Sequence, residues 1–170
     1  LTVVVLEDNK KTDIKEVGTS KELNPAQIKL LQSLDYSTNV LIWAEYIERN
    51  KETGELEDNY WTPYLTVTPD IQASYIDGNE ALNNYLNYYS KEETAGLTND
   101  KVKPGKIYFT VSKEGVITNV EIVSSTGLPH VDEKIKELVT KLPGTWEPAK
   151  DINGNYVDQT LVISFGNMGC

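Results

Sequence analysis

One stretch of the C-terminal third decides the fold: KIYFTVS at residues 106–112. Apolar side chains occupy every second position from Ile107 to Val111, which is the period of a strand with one buried face. A turn of sequence KEG follows at residues 113–115, and residues 116–124 run back with apolar side chains of one parity. We therefore predict an antiparallel β-hairpin at this position.

A helix and a final strand follow the hairpin. Four apolar residues recur at the spacing of one helix face, which predicts a helix that packs on the sheet. They are Val131, Ile135, Leu138 and Leu142. An Asn-Gly-Asn turn at residues 153–155 precedes the last strand, which ends at Phe165. Antiparallel sheets with helices on one face define an α+β fold.

Composition narrows the function classes. The 170 residues have a net charge of −10 and include a single arginine, Arg49. This charge argues against a nucleic-acid partner, because a phosphate backbone requires clustered Lys and Arg. No apolar run reaches the roughly 18 residues that a membrane helix needs. The chain opens on LTVVVL at residues 1–6, a strand already in progress, so we expect a fragment that lacks an anchor or export signal.

The chain divides near a proline that ends an alternating strand, in the sequence TPD at residues 68–70. We predict two domains, residues 1–69 and 70–170. The first repeats the order strand, turn, strand, helix, strand, hairpin, strand, so a degenerate second copy of the later unit is favoured. In this first unit Asn24 should cap a helix whose buried stripe contains Ile28, Leu31 and Leu34.

Residues for catalysis are lacking. The only histidine, His130, has no partner placed by the sequence, and Cys170 ends the chain. Paired carboxylates at Glu92 and Glu93 lie in a polar loop, and the oxygen-rich turn at residues 151–155 is explained by turn chemistry. We predict that the protein is not an enzyme and has no catalytic, cofactor-binding or metal-binding residues. The surplus of aromatic residues fits core and boundary positions, with a protein-binding aromatic patch as the alternative.

Several motifs together resemble the C-terminal domain of TonB-type energy transducers, across residues 71–165. The helix that starts near DGNEAL at residues 77–82, with Asp77 and Glu80 as a capping box, is similar to the first helix of that family. The hairpin, the turn SSTG at 124–127, the sequence WEPA at 146–149 and the NGNYV at 153–157 match its later motifs. Tyr75-Ile76 departs from the Tyr-Pro of many members, and no proline-rich spacer is present.

The resemblance implies two tandem TonB-C-like units and a docking function. In that family the last strand lies at the sheet edge and adds a short peptide of an outer-membrane receptor as a further strand. Leu161, Ile163 and Phe165 should then face the helices, with Thr160, Val162 and Ser164 facing away. The expected partner-binding residues are Gln159, Thr160, Leu161, Val162, Ile163, Ser164, Phe165, Tyr75, Ser124, Ser125 and Gly127.

We therefore expect a periplasmic protein-protein interaction module with a role in receptor energisation or transmembrane transport. The full-length protein would be anchored to the inner membrane or exported. Two alternatives remain open: an extracytoplasmic sensing domain of a membrane-anchored, peptidase-type signalling protein, and a structural assembly protein. The edge could also pair internally, with the first unit, or with a second copy in a homodimer.

Overall fold

The computed structural model describes residues 1–7, 10–95 and 102–166. Parts of the predicted first turn and of the loop at 90–105, together with Cys170, lie outside these ranges. The chain forms two compact units, Leu1–Thr68 and a second that begins at Pro69. The boundary predicted from the sequence lies one residue further along. Among the described residues no helix has the length and apolar character that crossing a membrane requires.

The first unit is an antiparallel sheet with one helix. Its strands are β1 (Thr2–Glu7), β2 (Lys10–Val17), β3 (Asn39–Arg49), β4 (Leu56–Trp61) and β5 (Tyr64–Thr66), and its helix is α1 (Pro25–Gln32). The strand order is β2-β1-β3-β4, and β5 also pairs with β3. The central strand β1 is the most buried because its run of valines, Val3 to Val5, has apolar side chains on both faces.

Helix α1 is capped as predicted but buries a different residue. Asn24 accepts a hydrogen bond from the Gln27 backbone, and the Gln27 side chain accepts one from the Asn24 backbone. The Gln27 amide also donates to the carbonyl of Leu1 at 2.8 Å, so Gln27 is fully buried. The predicted stripe is wrong at Ile28, which is 42% exposed. A buried amide with satisfied hydrogen bonds has displaced the apolar residue from the packed side.

The second unit contains the predicted hairpin, helix and last strand. Its strands are β6 (Ser74–Tyr75), β7 (Gly105–Val111), β8 (Ile117–Ser124), β9 (Trp146–Glu147), β10 (Ala149–Lys150), β11 (Tyr156–Val157) and β12 (Gln159–Phe165). Its helices are α2 (Gly78–Tyr89), α3 (Lys91–Thr94) and α4 (Pro129–Thr140). The main sheet has the order β12-β7-β8, and two short sheets pair β6 with β9 and β10 with β11. The α+β class with antiparallel sheets is confirmed.

The core of the second unit lies between the main sheet and its helices. The buried residues of β7, Ile107, Phe109 and Val111, pack with Leu82 and Leu86 of α2. Helix α4 adds Val131, Ile135, Leu138 and Val139 to the same cluster, whereas Leu142 packs against it from beyond the helix end. The alternation of β7 and the spacing of α4 therefore predicted the buried faces correctly.

The capping box predicted for α2 is not formed. Asp77 makes no side-chain hydrogen bond to the helix backbone, and its ψ of 2° differs from the extended geometry of an N-cap. The following residue, Gly78, has a φ of +83°. The chain therefore enters α2 through a glycine turn rather than through a carboxylate cap.

Each unit has a hairpin and a helix followed by a later strand that pairs with the first hairpin strand, but β9, β10 and β11 lie between α4 and β12 in the second unit. In the first unit the strand after α1, β3, pairs with the first hairpin strand β1. In the second unit β12 pairs in the same antiparallel sense with β7. The two units differ at the next position, because β3 also pairs with β4 and β5 of its own chain.

Candidate functional site

Strand β12 lies at the edge of the main sheet in the second unit. It pairs with β7 over its full length, from Gln159 opposite Val111 to Phe165 opposite Gly105. Among the described residues no other strand joins that sheet on its side. Leu161, Ile163 and Phe165 pack against the core, whereas Val162 and Ser164 are exposed. The predicted orientation of these side chains is confirmed.

The hydrogen bonds at the two edges of β7 show in which direction the backbone groups of β12 point. The N–H of Ser112 donates to the carbonyl of Val116 on the β8 side, and the N–H of Lys113 donates to Asp158 on the β12 side. Successive residues of a strand alternate between the two edges, so the odd-numbered residues of β7 direct their N–H and C=O groups to β12.

The even-numbered residues of β12 therefore point their backbone groups away from β7. The register has no irregularity, so Leu161 and Ile163 are paired with Phe109 and Ile107. The N–H and C=O groups of Val162 and Ser164 face outward, and within the described ranges they have no hydrogen-bond partner. Such unpaired groups are what an incoming strand requires.

A groove of about 420 Å³ lies beside β12. One wall is the strand itself, from Leu161 to Ser164. The other wall consists of Gln72 and Ala73 and of the first half of helix α2. Phe109 and Trp146 contribute apolar surface from the core. The groove is thus built from one unit of the chain and lies next to the edge strand.

Gln159, the first residue of β12, contacts the wall of the groove. Its side-chain oxygen accepts a hydrogen bond from the N–H of Ala73 at 2.7 Å, and its amide lies 3.3 Å from the Gln72 side chain. Ala73 falls opposite Pro148 in the ribbon that residues 71–75 form with residues 146–150. The N–H of Ala73 is thus paired by a side chain of β12. Gln159 is therefore buried and holds the wall in place.

Trp146 has an unmet hydrogen-bonding group. The ring packs on Tyr75 and Phe109 with centroid distances of 5.5 and 5.4 Å. Its indole nitrogen is buried and has no hydrogen-bond partner among the described residues. A buried donor without an acceptor costs about 1–3 kcal/mol. The side chain of Trp146 is therefore held by packing alone.

The asparagines of α2 are site residues that the sequence did not identify. Asn79 and Asn83 line the groove, four residues apart on one helix face beside the buried Leu82. Helix α2 contains four asparagines in 12 residues, although Asn is a weak helix former that costs up to about 0.7 kcal/mol relative to Ala. This enrichment in a helix was the available signal. Their position beside β12 could not be predicted, because that strand lies some 80 residues further along the chain.

Tyr75 is not exposed to a partner. Its ring is 7% exposed, and its hydroxyl donates to the carbonyl of Pro143. Burial, and then the negative charge of Asp77, raises the pKa of Tyr75. In the structure Tyr75 packs next to Trp146. A direct contact between Tyr75 and a partner stays a prediction, and the burial of Tyr75 does not support it.

The turn at residues 124–127 is occupied by internal hydrogen bonds. The carboxylate of Asp132 accepts from the Ser125 hydroxyl and from the N–H and hydroxyl of Thr126. Burial raises the pKa of Asp132, but these hydrogen bonds outweigh it and hold that pKa below its ordinary value. Ser124 donates to the carbonyl of Pro104, and the N–H of Gly127 donates to Ser125. The structure does not bring these three predicted residues to the groove.

The groove carries no formal charge, since amides, a hydroxyl and apolar side chains line it. No three His, Cys, Asp or Glu residues in the described ranges are placed to hold a metal ion. The turn at residues 151–155 is an Asp151-centred hydrogen-bonded turn, in which Asn155 donates to the carboxylate. No family model, curated protein or solved structure matches this chain.

Proposed function

We propose that the second unit is a docking module of the TonB C-terminal type, which binds an extended peptide as an added strand on β12. The observation that carries the proposal is the pair of outward backbone groups at Val162 and Ser164, beside a groove in the same unit. Main-chain hydrogen bonds would supply the affinity, and the groove walls would select the side chains.

The first unit supports this reading. Its strand β3 corresponds to β12 in the shared order of hairpin, helix and strand, and its outer edge is paired with β5 at Asn39 to Leu41. The same chain thus completes that edge with a strand of its own. We propose that the first unit is a divergent copy in which the docking edge is filled internally.

The geometry also limits the guest. The groove follows four residues of β12, which corresponds to about 13 Å of extended chain. Because Gln72, Asn79 and Asn83 are uncharged, the guest segment should be uncharged where it enters the groove. An outer-membrane receptor-like peptide, in the periplasm, with a role in receptor energisation or transport, is the partner that the family resemblance favours.

The test is an NMR titration with extended, uncharged peptides derived from outer-membrane receptors. The amides of Val162 and Ser164 should shift and become protected from exchange, while the amide of Ile163 should change less. Val162→Thr is the matched control, because it keeps the N–H group and a β-branched side chain and should bind as well as the parent. Val162→Pro should remain folded and lose binding.

Two results would count against the proposal. One is binding that survives Val162→Pro at unchanged affinity. The other is a peptide response confined to residues outside β12 and α2. A response to small molecules with none to peptides would favour the sensing alternative.

A further inference from the structure

The hairpin of β3 and β4 exposes an unusual amount of apolar surface. Trp43 is the last residue of β3 that pairs with β1, and from Ala44 onward β3 pairs only with β4 among the described residues. The resulting two-stranded ribbon has large side chains that are more than 60% exposed: Ile47, Leu56, Tyr60 and Trp61. A two-stranded ribbon gains little stability by itself. An exposed apolar surface of this kind is typical of a binding site.

An aromatic stack lies at the base of this ribbon. The rings of Trp43 and Tyr60 are parallel within 6°, with centroids 5.3 Å apart. The ammonium of Lys11 lies 4.5 Å from the centroid of Trp43. Since Tyr60 covers one face of the indole, the ammonium lies over the other. The stack therefore already holds one cation, and Tyr60, at its other end, is 62% exposed.

Carboxylates flank the exposed end. Glu45 is opposite Tyr60 and Asp58 is opposite Ile47, and directly paired residues of an antiparallel ribbon lie on one face. A cavity of about 440 Å³ is formed there, lined by Trp43, Tyr60, Ile47 and both carboxylates, with Tyr46 and Asn59. Glu45 accepts a hydrogen bond from the Trp43 indole at 3.1 Å, whereas the side-chain carboxylate of Asp58 has no hydrogen bond or ion pair in the described part of the chain.

The surrounding charge favours a cationic ligand. Residues 44–61 contain six carboxylates and two cationic side chains. One of these cations, Arg49, donates to the carbonyl of Gly54 in the hairpin turn. The ribbon is therefore strongly acidic around an exposed aromatic ring. Complementary charge of this kind speeds the approach of a partner and fixes its orientation.

We propose that this aromatic-acidic face binds an arginine side chain of a basic partner protein. The guanidinium would stack on the exposed face of Tyr60 and donate to the Asp58 carboxylate. Arginine suits the site better than lysine because its planar group stacks on aromatic rings, matches a carboxylate in two hydrogen bonds and is weakly hydrated. The proposal concerns the first unit alone and is independent of peptide docking at β12.

The test uses acetylated peptides of one sequence with a central arginine, lysine or citrulline, titrated into the full chain at low salt. We expect saturable NMR shifts of the Tyr60 ring and of the Asp58 amide with the arginine peptide. Lysine should bind several-fold more weakly, and citrulline, which has nearly the same shape but no charge, at least ten-fold more weakly. Raising the salt concentration should weaken the arginine peptide and leave citrulline unchanged.

Substitutions distinguish binding at this site from a general attraction of the peptide to an acidic surface. Tyr60→Ala and Asp58→Asn should each reduce the affinity for the arginine peptide at least five-fold, and both should fold because the residues are exposed. Tyr64→Ala is the control, since Tyr64 is 68% exposed in the same unit and does not line the cavity. Equal binding of arginine and citrulline peptides, or full affinity in Tyr60→Ala, would overturn the proposal. So would saturable binding of a neutral sugar at Tyr60 with no response to arginine.

Discussion

Proline substitutions at two neighbouring positions of β12 should have very different effects on stability. Val162 directs its N–H away from β7 and its side chain is 53% exposed, so Val162→Pro removes no ladder hydrogen bond and little buried surface. Proline is tolerated on an edge strand when its missing N–H faces solvent. We expect a loss in the free energy of unfolding below about 1 kcal/mol, as for other surface substitutions.

Ile163→Pro should be far more damaging. It removes the N–H that pairs with Ile107, and Ile107 is fully buried, so its carbonyl would be left without a donor. An unsatisfied buried acceptor costs about 1–3 kcal/mol. The smaller side chain also loses packing against the core, at about 0.8 kcal/mol for each buried methylene. The sum is about 3 kcal/mol or more.

Urea unfolding, followed by circular dichroism, measures both variants against the parent. With a slope of about 2 kcal/mol per molar urea, Ile163→Pro should shift the midpoint of the second unit by about 1.5 M. Val162→Pro should shift it by less than about 0.5 M. If the two variants were equally destabilised, or Val162→Pro the more so, the assignment of backbone directions in β12 would be wrong.

Three further substitutions test the packing and the hydrogen bonds of the second unit. Phe109→Ala should lower the free energy of unfolding by about 3–5 kcal/mol in urea, because the ring is 1% exposed; a loss below about 1 kcal/mol would contradict this. Gly115→Ala should cost about 2 kcal/mol, since φ is +76° and a Cβ would lie 2.6 Å from the Trp146 carbonyl oxygen; unchanged thermal stability would refute this contact. Asp132→Asn should destabilise at pH 7 by about 2 kcal/mol, because charged hydrogen bonds to Thr126 are weakened. The folded-state pKa of Asp132 is lowered, so its contribution is present above about pH 4 and disappears as the pH falls below that value; a difference between parent and variant that grew on acidification would contradict the assignment.

Local periodicity predicted the central elements of the second unit well. Apolar residues alternate from Ile107 to Val111 with the period of a strand, and the structure buries these residues on one face of β7. The bulge in β8 could not be predicted from the sequence. Asn119 adopts a φ of +52° where the register between β7 and β8 shifts, opposite Tyr108 and Thr110. Sequence periodicity indicates a strand, but it does not show where the ladder is interrupted.

The errors arose where a polar group satisfies a long-range hydrogen bond. The spacing of Ile28, Leu31 and Leu34 predicted a buried stripe, but the amide of Gln27 reaches the carbonyls of Leu1 and Glu16 and turns that side of α1 inward. Such partners are fixed by tertiary structure, which a local window does not contain.

The candidate site, too, could be predicted from the sequence only in part. Alternation along the strand predicted that the side chains of Val162 and Ser164 face away from the helices, and the family resemblance implied that this strand lies at the sheet edge. The opposite wall could not, because Asn79 and Asn83 reach β12 only through the packing of α2 on the sheet. The role of Gln159 depends on the N–H of Ala73, which lies 86 residues earlier in the chain.

Amide hydrogen exchange in β12, measured by NMR on the protein without a partner, examines the open edge most directly. Leu161 and Ile163 should exchange slowly, through unfolding of the unit, because their N–H groups pair with β7. Val162 and Ser164 should exchange at least a hundred-fold faster, and should become protected when a docking peptide is added. Slow exchange at all four amides in the absence of a partner would show that the outer side of β12 is already paired, and would contradict the account.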